Sequence, residues 1–482
     1  MTNMHEGSPA ASVPGGLVDC CASGDTRAAS TAPARLSVGH VAASLERMPP
    51  NAMHVRARLM IGLATFLDGF DVIVIATALP FLIAKWGLSP VQIGWLIAAG
   101  SLGQLLGTFL FPYFADRFGR VRSIAWSCGL IGATSVACGF APTFTAFLAL
   151  RLVQGIGLGG EVPVAATYIN EISRASNRGR FVLLYEVVFP IGLLAANALG
   201  AYLVPRHGWE IMYFIGGAPI LLLVLPRLVP ESPRWLAQKG RSAAAERALR
   251  AFEAKAREPL PPVPAAAAGD VGGACPPRRQ LRDLLGRAYL ARTLTVWSIW
   301  IACGFIQYGL TTWLPTIYRN VYHAPLQLAL NLAVIASLLA VAGSLVCALI
   351  VDRVGRKPVI GTSLVLCAAS LVLAGLLHQQ SLYVVAMLCS LAFGFIGCGF
   401  ITAYVYTPEL YPTSVRAMGC GLGGTWLKVA AIAAPALVAR TLDNGSLDQA
   451  FYLLALVPFV AAIVVKTLGI ETKGRTLEQL AV

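Results

Sequence analysis

Five ionisable side chains stand inside long apolar stretches of this chain: Asp68, Asp71, Arg151, Glu161 and Lys428. A charge in a hydrocarbon setting is costly, so each is by default a candidate for chemistry. Asp68 and Asp71 are three residues apart, which on a helix places both on one face. Two carboxyls side by side in an apolar medium do not both keep their charge easily, and such a pair suits a carrier of protons. The plain alternative is a static ion pair with Arg151. Glu161 follows Gly159 and Gly160 and reads equally as a second proton site or as a structural hydrogen-bonder. Lys428 suits a substrate carboxylate, against the alternative of a permanent pair with Glu161. Gln307, Tyr308, Asn331, Tyr404 and Tyr406 are polar or aromatic candidates for a site lining, and a helix–helix hydrogen bond competes for each.

The elements that must position these residues follow from composition. Of 482 residues, 57% are hydrophobic and only 12% charged, with a mean hydropathy of +0.69. A soluble protein this apolar could not cover its surface. Soluble enzymes, disulfide scaffolds and disordered chains are therefore disfavoured. The eleven cysteines include no C-x-x-C pair, so neither a metal site nor a disulfide framework is implied. Residues 1–55 lack a signal-peptide pattern and read as an unstructured cytosolic tail. A spanning helix needs about 20 mostly apolar residues. Such runs occur near 59–85, 91–114, 121–141, 144–170, 181–204, 208–229, 293–318, 325–351, 358–378, 381–407, 414–439 and 449–469. The chain is thus an all-α polytopic membrane protein with twelve transmembrane helices.

Charge placement gives the orientation. With the N-terminus inside, 31 Lys and Arg fall on the cytosolic side and 4 outside. The positive-inside rule then puts both termini in the cytosol. It also accounts for the net charge of +14 without nucleic acid. The chain repeats itself as well. Asp116-Arg117-Phe118-Gly119-Arg120 matches Asp352-Arg353-Val354-Gly355-Arg356 at an offset of 236. Tyr168, Glu171 and Arg178 match Tyr406, Glu409 and Arg416 at 238, and Glu231 matches Glu471 at 240. Motifs recurring at nearly one offset mean two homologous six-helix halves, 56–230 and 293–470. A cytosolic loop, 231–292, joins them, and a short tail, 471–482, follows. Within the loop, Ser242–Arg257 reads as an amphipathic helix and Pro259–Pro277 as a flexible linker.

These motifs resemble the major facilitator superfamily over residues 55–480. The Asp116-Arg117-x-Gly119-Arg120 element and its second copy sit where that superfamily carries its loop signature. Pro230-Glu231-Ser232-Pro233-Arg234-Trp235, Arg151-x3-Gly155-x-Gly157-x-Gly159 and Glu471-Thr472-Lys473-Gly474-Arg475 look like the sugar-porter branch. Asp68-Gly69-Phe70-Asp71 is similar to the Asp-Gly-x-Asp of aromatic acid:proton symporters. Gly159-Gly160-Glu161-Val162-Pro163-Val164 resembles the nicotinate-transporter-like and metabolite:proton symporter groups. The resemblance implies the major facilitator fold and alternating access, with two bundles rocking around a site near the midplane. It also implies that Asp71 is the proton site, with Arg151 its switchable partner. Asp116, Arg117, Gly119, Arg120, Glu171, Arg178 and Glu231, with their counterparts Asp352, Arg353, Gly355, Arg356, Glu409, Arg416 and Glu471, then form a cytosolic gate of charge pairs. The bland alternative is that these loops only obey the positive-inside rule.

The function expected is proton-coupled symport of a small organic acid, such as a benzoate-like acid or nicotinate, across the inner membrane. Lys428, Gln307, Tyr308, Asn331 and Tyr404 are the expected substrate contacts. A proton-linked sugar or polyol porter and a transporter-like sensor without transport are the alternatives. No G-x4-G-K-[ST] motif and no nucleophile–base constellation is present, so neither ATP-driven transport nor catalysis is expected. No cofactor is expected. The partners are a small-molecule substrate, protons and lipid, with no nucleic acid, and the resemblance favours a monomer.

Overall fold

In a lipid interior a backbone segment has no hydrogen-bond partner but itself, so each apolar run must close its own ladder as a helix. The computed structural model describes residues 38–49, 51–173, 187–255, 284–287, 289–411, 413–443 and 446–473. Among them, twelve helical stretches are long and apolar enough to cross a membrane. The first half holds α2 (Ala52–Trp86), α3 (Pro90–Phe118), α4 (Arg120–Gly139), α5 (Phe144–Ile172) and α6 (Val188–His207). Its sixth span, Glu210–Leu228, is broken into α7 (Glu210–Ile215), a 3-10 stretch (Ala218–Val224) and α8 (Leu225–Leu228). The second half holds α11 (Leu290–Asn320), α12 (Leu326–Val354), α13 (Arg356–Leu376), α14 (Leu382–Glu409), α15 (Thr413–Asp443) and α16 (Leu447–Leu468). Their starts are chemically marked. Ser89 caps α3 ahead of Pro90, with Gln92 reaching back to the Ser89 N–H.

Glycine decides how closely α3 and α5 meet. A Cβ on Gly103 would lie 2.1 Å from the Leu152 carbonyl oxygen, and one on Gly159 would lie within 1.9 Å of the Gln104 oxygen. Only bare backbone allows this approach, which sets Arg151 and Gln154 of α5 against α3. The halves meet through α3 with α15 and α6 with α12. Ser101 Oγ donates to the Ala431 oxygen at 3.5 Å, Asn197 Nδ2 to Ser337 Oγ at 2.7 Å, and Gln327 Nε2 to the Ala201 oxygen at 2.9 Å. These bonds lie at mid-helix and toward the end opposite the Asp116 and Asp352 loops.

Outside the spans the structure departs from the expectation of an unstructured segment over 1–55. Val38–Arg47 is a helix, α1, and the first span begins already at Ala52; residues 1–37 lie outside the described residues. The loop after the sixth span forms α9 (Pro233–Gln238) and α10 (Ser242–Glu253). The expected amphipathic helix is therefore present and slightly shorter, while Pro259–Pro277 lies outside the described residues. The apolar face of α10 is covered by α1 and the start of α2. Arg47 pairs with Glu253 at 2.8 Å, Asn51 Nδ2 donates to the Phe252 oxygen at 2.6 Å, and the His54 ring lies 4.9 Å from that of Phe252. The sequence gives no sign of this because α1 is short and only weakly apolar on average, and its apolar stripe has a partner only in the folded chain.

Candidate functional site

The acidic face of α2 meets α5 in the core of the first half. Asp71 and Arg151 are only 1% and 4% exposed. Arg151 Nη1 donates to Asp71 Oδ2 at 3.1 Å, and Gln154 Nε2 donates to Asp71 Oδ1 at 2.6 Å. Arg151 Nη1 also donates to Gln154 Oε1 at 2.8 Å, which closes a three-membered network. Gly100 of α3 makes room for it, since a Cβ there would lie 3.0 Å from Arg151 Nη2. A buried ion pair so satisfied is held, whereas removing one partner would strand the other charge.

Asp68, also buried, lies within the electrostatic reach of Lys428 of the other half. Lys428 of α15 donates to Gln104 Oε1 of α3, so it bridges the halves. Its ammonium lies 5.9 Å from the centroid of the Tyr308 ring. Half-buried, it adjoins open space. One and two turns toward the signature-loop end, a Cβ added to Gly424 or Gly421 would meet nothing within 4 Å, and the same holds at Gly62 of α2. Gln307, 5% exposed, precedes Tyr308 and keeps its Nε2 without a hydrogen-bond partner. Tyr404 belongs to an aromatic wall. Its ring meets Trp300 edge-on at 4.8 Å and Phe400 at 5.4 Å, and Phe400 stacks at 6.4 Å with Phe189 across the halves.

Two expected residues lie elsewhere. Asn331 is exposed near the start of α12 and accepts from Gln327 Nε2 at 3.0 Å, on a different face from the buried Ser337. The run expected over 325–351 already placed it in the first turns, but not which face of the helix it takes. Tyr406 is spent on the Ile470 carbonyl, to which its hydroxyl donates at 2.7 Å. Glu161, fully buried, accepts from Thr65 Oγ1 at 3.2 Å. Gln104 and Gln154 were missed. The signal available was an uncharged amide in an apolar run, and for Gln154 its place one turn after Arg151.

The loop motifs build two matching networks. Arg120 pairs with Asp116 at 2.6 Å and Glu171 at 3.0 Å, while Arg356 pairs with Asp352 at 3.0 Å and Glu409 at 3.3 Å. Glu231 accepts from the backbone N–H groups of Arg120 at 2.9 Å and Val121 at 3.1 Å, capping α4. Glu471 does the same for Arg356 at 3.1 Å and Lys357 at 3.0 Å, capping α13. A carboxylate is favoured at a helix N-terminus. Gly119 and Gly355 have φ of 116° and 112°, and a Cβ on them would strike the capping carboxylates at 2.3 and 2.7 Å. Glycine is required on both counts. Burial raises the Glu231 carboxyl above its ordinary value, and the N–H donors offset only part of that rise. Three arginines expected in acid pairs behave differently. Arg117 is exposed over the Phe118 ring, Arg353 is exposed and in no ion pair among the described residues, and Arg416 donates to the Tyr411 carbonyl at 3.1 Å. Arg178 lies outside the described residues.

Twelve spans in two matching halves, with a polar midplane between them, define a secondary transporter of the major facilitator fold. The family model described as "Sugar (and other) transporter" matches residues 56–482, and the chain belongs to that family, within the major facilitator superfamily. It is a transporter and not an enzyme. The chain is 32% identical over 443 residues to the niacin transporter NiaP of Acinetobacter baylyi, covering 90% of this chain and 98% of that one. It is 28% identical over 421 residues to the putative niacin/nicotinamide transporter NiaP of Bacillus subtilis, covering 86% and 96%. Among solved structures, the proton:xylose symporter XylE bound to 6-bromo-6-deoxy-D-glucose superposes with a TM-score of 0.67 at 22% identity, covering 89% and 98%. That likeness speaks for the fold.

Proposed function

We propose that the protein is a proton-coupled symporter of a small aromatic or heteroaromatic carboxylate, of the nicotinate or benzoate type, working as a monomer in the inner membrane with both termini cytosolic. The observation that carries this reading is the position of Lys428. It is a cation of one half, tied to Gln104 and within electrostatic reach of Asp68 of the other half, beside open space and the Tyr308 ring. A substrate carboxylate would replace the Gln104 bond with a charge-assisted one, which is stronger. Its ring would meet Tyr308 and the Trp300–Tyr404 surface. Asp71 would carry the proton, and Gln154 would hold the Arg151 guanidinium while the carboxyl is neutral. The capped loops Arg120–Glu171–Glu231 and Arg356–Glu409–Glu471 would act as the cytosolic gate. The likeness to the niacin transporter of Acinetobacter baylyi supports the same substrate class.

The test is uptake of labelled nicotinate, benzoate and xylose into proteoliposomes with and without an inward proton gradient. Gradient-driven accumulation of an acid, and not of the sugar, is expected. Accumulation of xylose alone would favour the sugar-porter alternative, to which the family match lends weight. Binding without any uptake would favour a sensor.

A further inference from the structure

A second cavity, of about 490 Å³, opens at the signature-loop end, between the start of α4, the Pro226–Glu231 segment and α10. That volume is in the range of small-molecule pockets. Its walls carry three guanidinium groups, Arg122, Arg241 and Arg247, and two aromatic rings, Phe118 and Trp235. Among the described residues none of the three arginines forms an ion pair. Arg241 lies 5.5 Å over the Trp235 ring, and Arg247 Nε makes only a 3.4 Å bond to the Ala243 oxygen of its own helix. The single carboxylate in the wall, Glu231, is turned to the backbone N–H groups of Arg120, Val121 and Ser232. The first turn of α10 has no side-chain cap, which adds an anion-favouring helix end. The cavity is therefore cationic and uncompensated.

Its rim is apolar on one side. Phe118 meets Trp126 at 5.3 Å, and Trp126, Leu223 and Val224 are exposed along the outer surface of α4 and the broken sixth span. An occupant thus has an anionic head among arginines and an apolar body along the spans. The volume, the charge and that rim together fit one chemistry. We propose that this cavity binds the phosphate headgroup of an anionic phospholipid from the adjoining leaflet, with the acyl chains lying along α4 and the Ala218–Val224 segment. The site is separate from the Lys428 midplane and stands whatever the transported substrate is.

The test is native mass spectrometry of the full-length protein, titrated with phosphatidylglycerol or phosphatidylcholine in detergent. The wild type is expected to retain one phosphatidylglycerol in preference to phosphatidylcholine. An Arg241→Gln/Arg247→Gln variant should lose that occupancy by about tenfold or more. Ala244→Trp, which fills the cavity and keeps every charge, should lose it as well, and it decides the matter if the double variant does not fold. Lys466→Gln, an exposed charge at the end of α16 in the other half, should retain it. Unchanged retention in the cavity variants, or equal loss in Lys466→Gln, would overturn the site. Displacement of the lipid by inorganic phosphate would assign the cavity to a free anion instead.

Discussion

Arg151 Nη1 lies 3.1 Å from Asp71 Oδ2, with both side chains buried, and Gln154 is hydrogen-bonded to each. The amide gives the arginine a second acceptor and the aspartate a second donor. The network therefore has a place for the guanidinium when the carboxyl is neutral, which a simple two-residue salt bridge lacks.

Asp71→Asn should abolish uptake driven by a proton gradient and retain substrate exchange, because exchange needs no net proton release. Asparagine can still accept from Arg151 but leaves the buried guanidinium without its counter-charge, so the variant should also lose stability, by up to about 3–5 kcal/mol. Proteoliposome uptake and counterflow measured on one preparation check this. Gradient-driven accumulation at the wild-type rate and with wild-type pH dependence would remove Asp71 from the proton path.

Lys428→Gln should weaken binding of nicotinate by about tenfold or more, and binding of nicotinamide far less, because only the acid loses a charge-assisted bond. Isothermal titration with both ligands reads the difference. Equal losses for the two would make Lys428 a structural tie between Gln104 and Tyr308.

Glu231 offers a pH-dependent prediction. Its carboxyl is raised in the folded state, so proton uptake favours the fold. The contribution is full below the ordinary carboxylate range and is lost as pH climbs through the raised value. The thermal midpoint of the wild type should fall more between about pH 4 and about pH 7 than that of Glu231→Gln. At the acid end, the variant should cost about 1 kcal/mol or less, since its amide oxygen can still cap α4. A parallel pH profile for the two proteins would contradict the assignment.

Two glycines should respond in opposite ways. Gly103→Ala drives a methyl into the Leu152 carbonyl and should destabilise by about 1–3 kcal/mol. Gly62→Ala meets nothing and should be neutral or stabilising by up to about 1 kcal/mol. Thermal midpoints in one detergent compare them directly.

Topology is checked by single cysteines. An impermeant maleimide added outside intact cells should label Arg206→Cys and Arg440→Cys, both at exposed positions, and not Lys473→Cys. The reverse pattern would invert the orientation read from loop charge.

The sequence alone determined the number of spans, their type and the twofold repeat, since hydrocarbon leaves an apolar run no alternative to a helix. It also brought out Asp68, Asp71 and Arg151, and the repeated Glu231 and Glu471, because charges are scarce enough in such a chain for their positions to stand out; that Asp71 is the partner of Arg151 was implied only by the family resemblance. What it did not contain was which helix faces lie against each other. The close approaches of Gly103 to Leu152 and of Gly159 to Gln104 set α3 on α5, and only that packing shows Gln104 reaching Lys428 and Gln154 completing the Asp71 network. Asn331 looked equivalent to Gln307 in composition, yet one is exposed in the second turn of α12 and the other is buried beside Tyr308. Helix α1 was invisible because its apolar stripe is satisfied by Phe252 and its neighbours, some 200 residues away in the chain. Local pattern fixes what a segment becomes in a given solvent; the partner of each face is set by contacts between distant segments, and only the tertiary structure decides those.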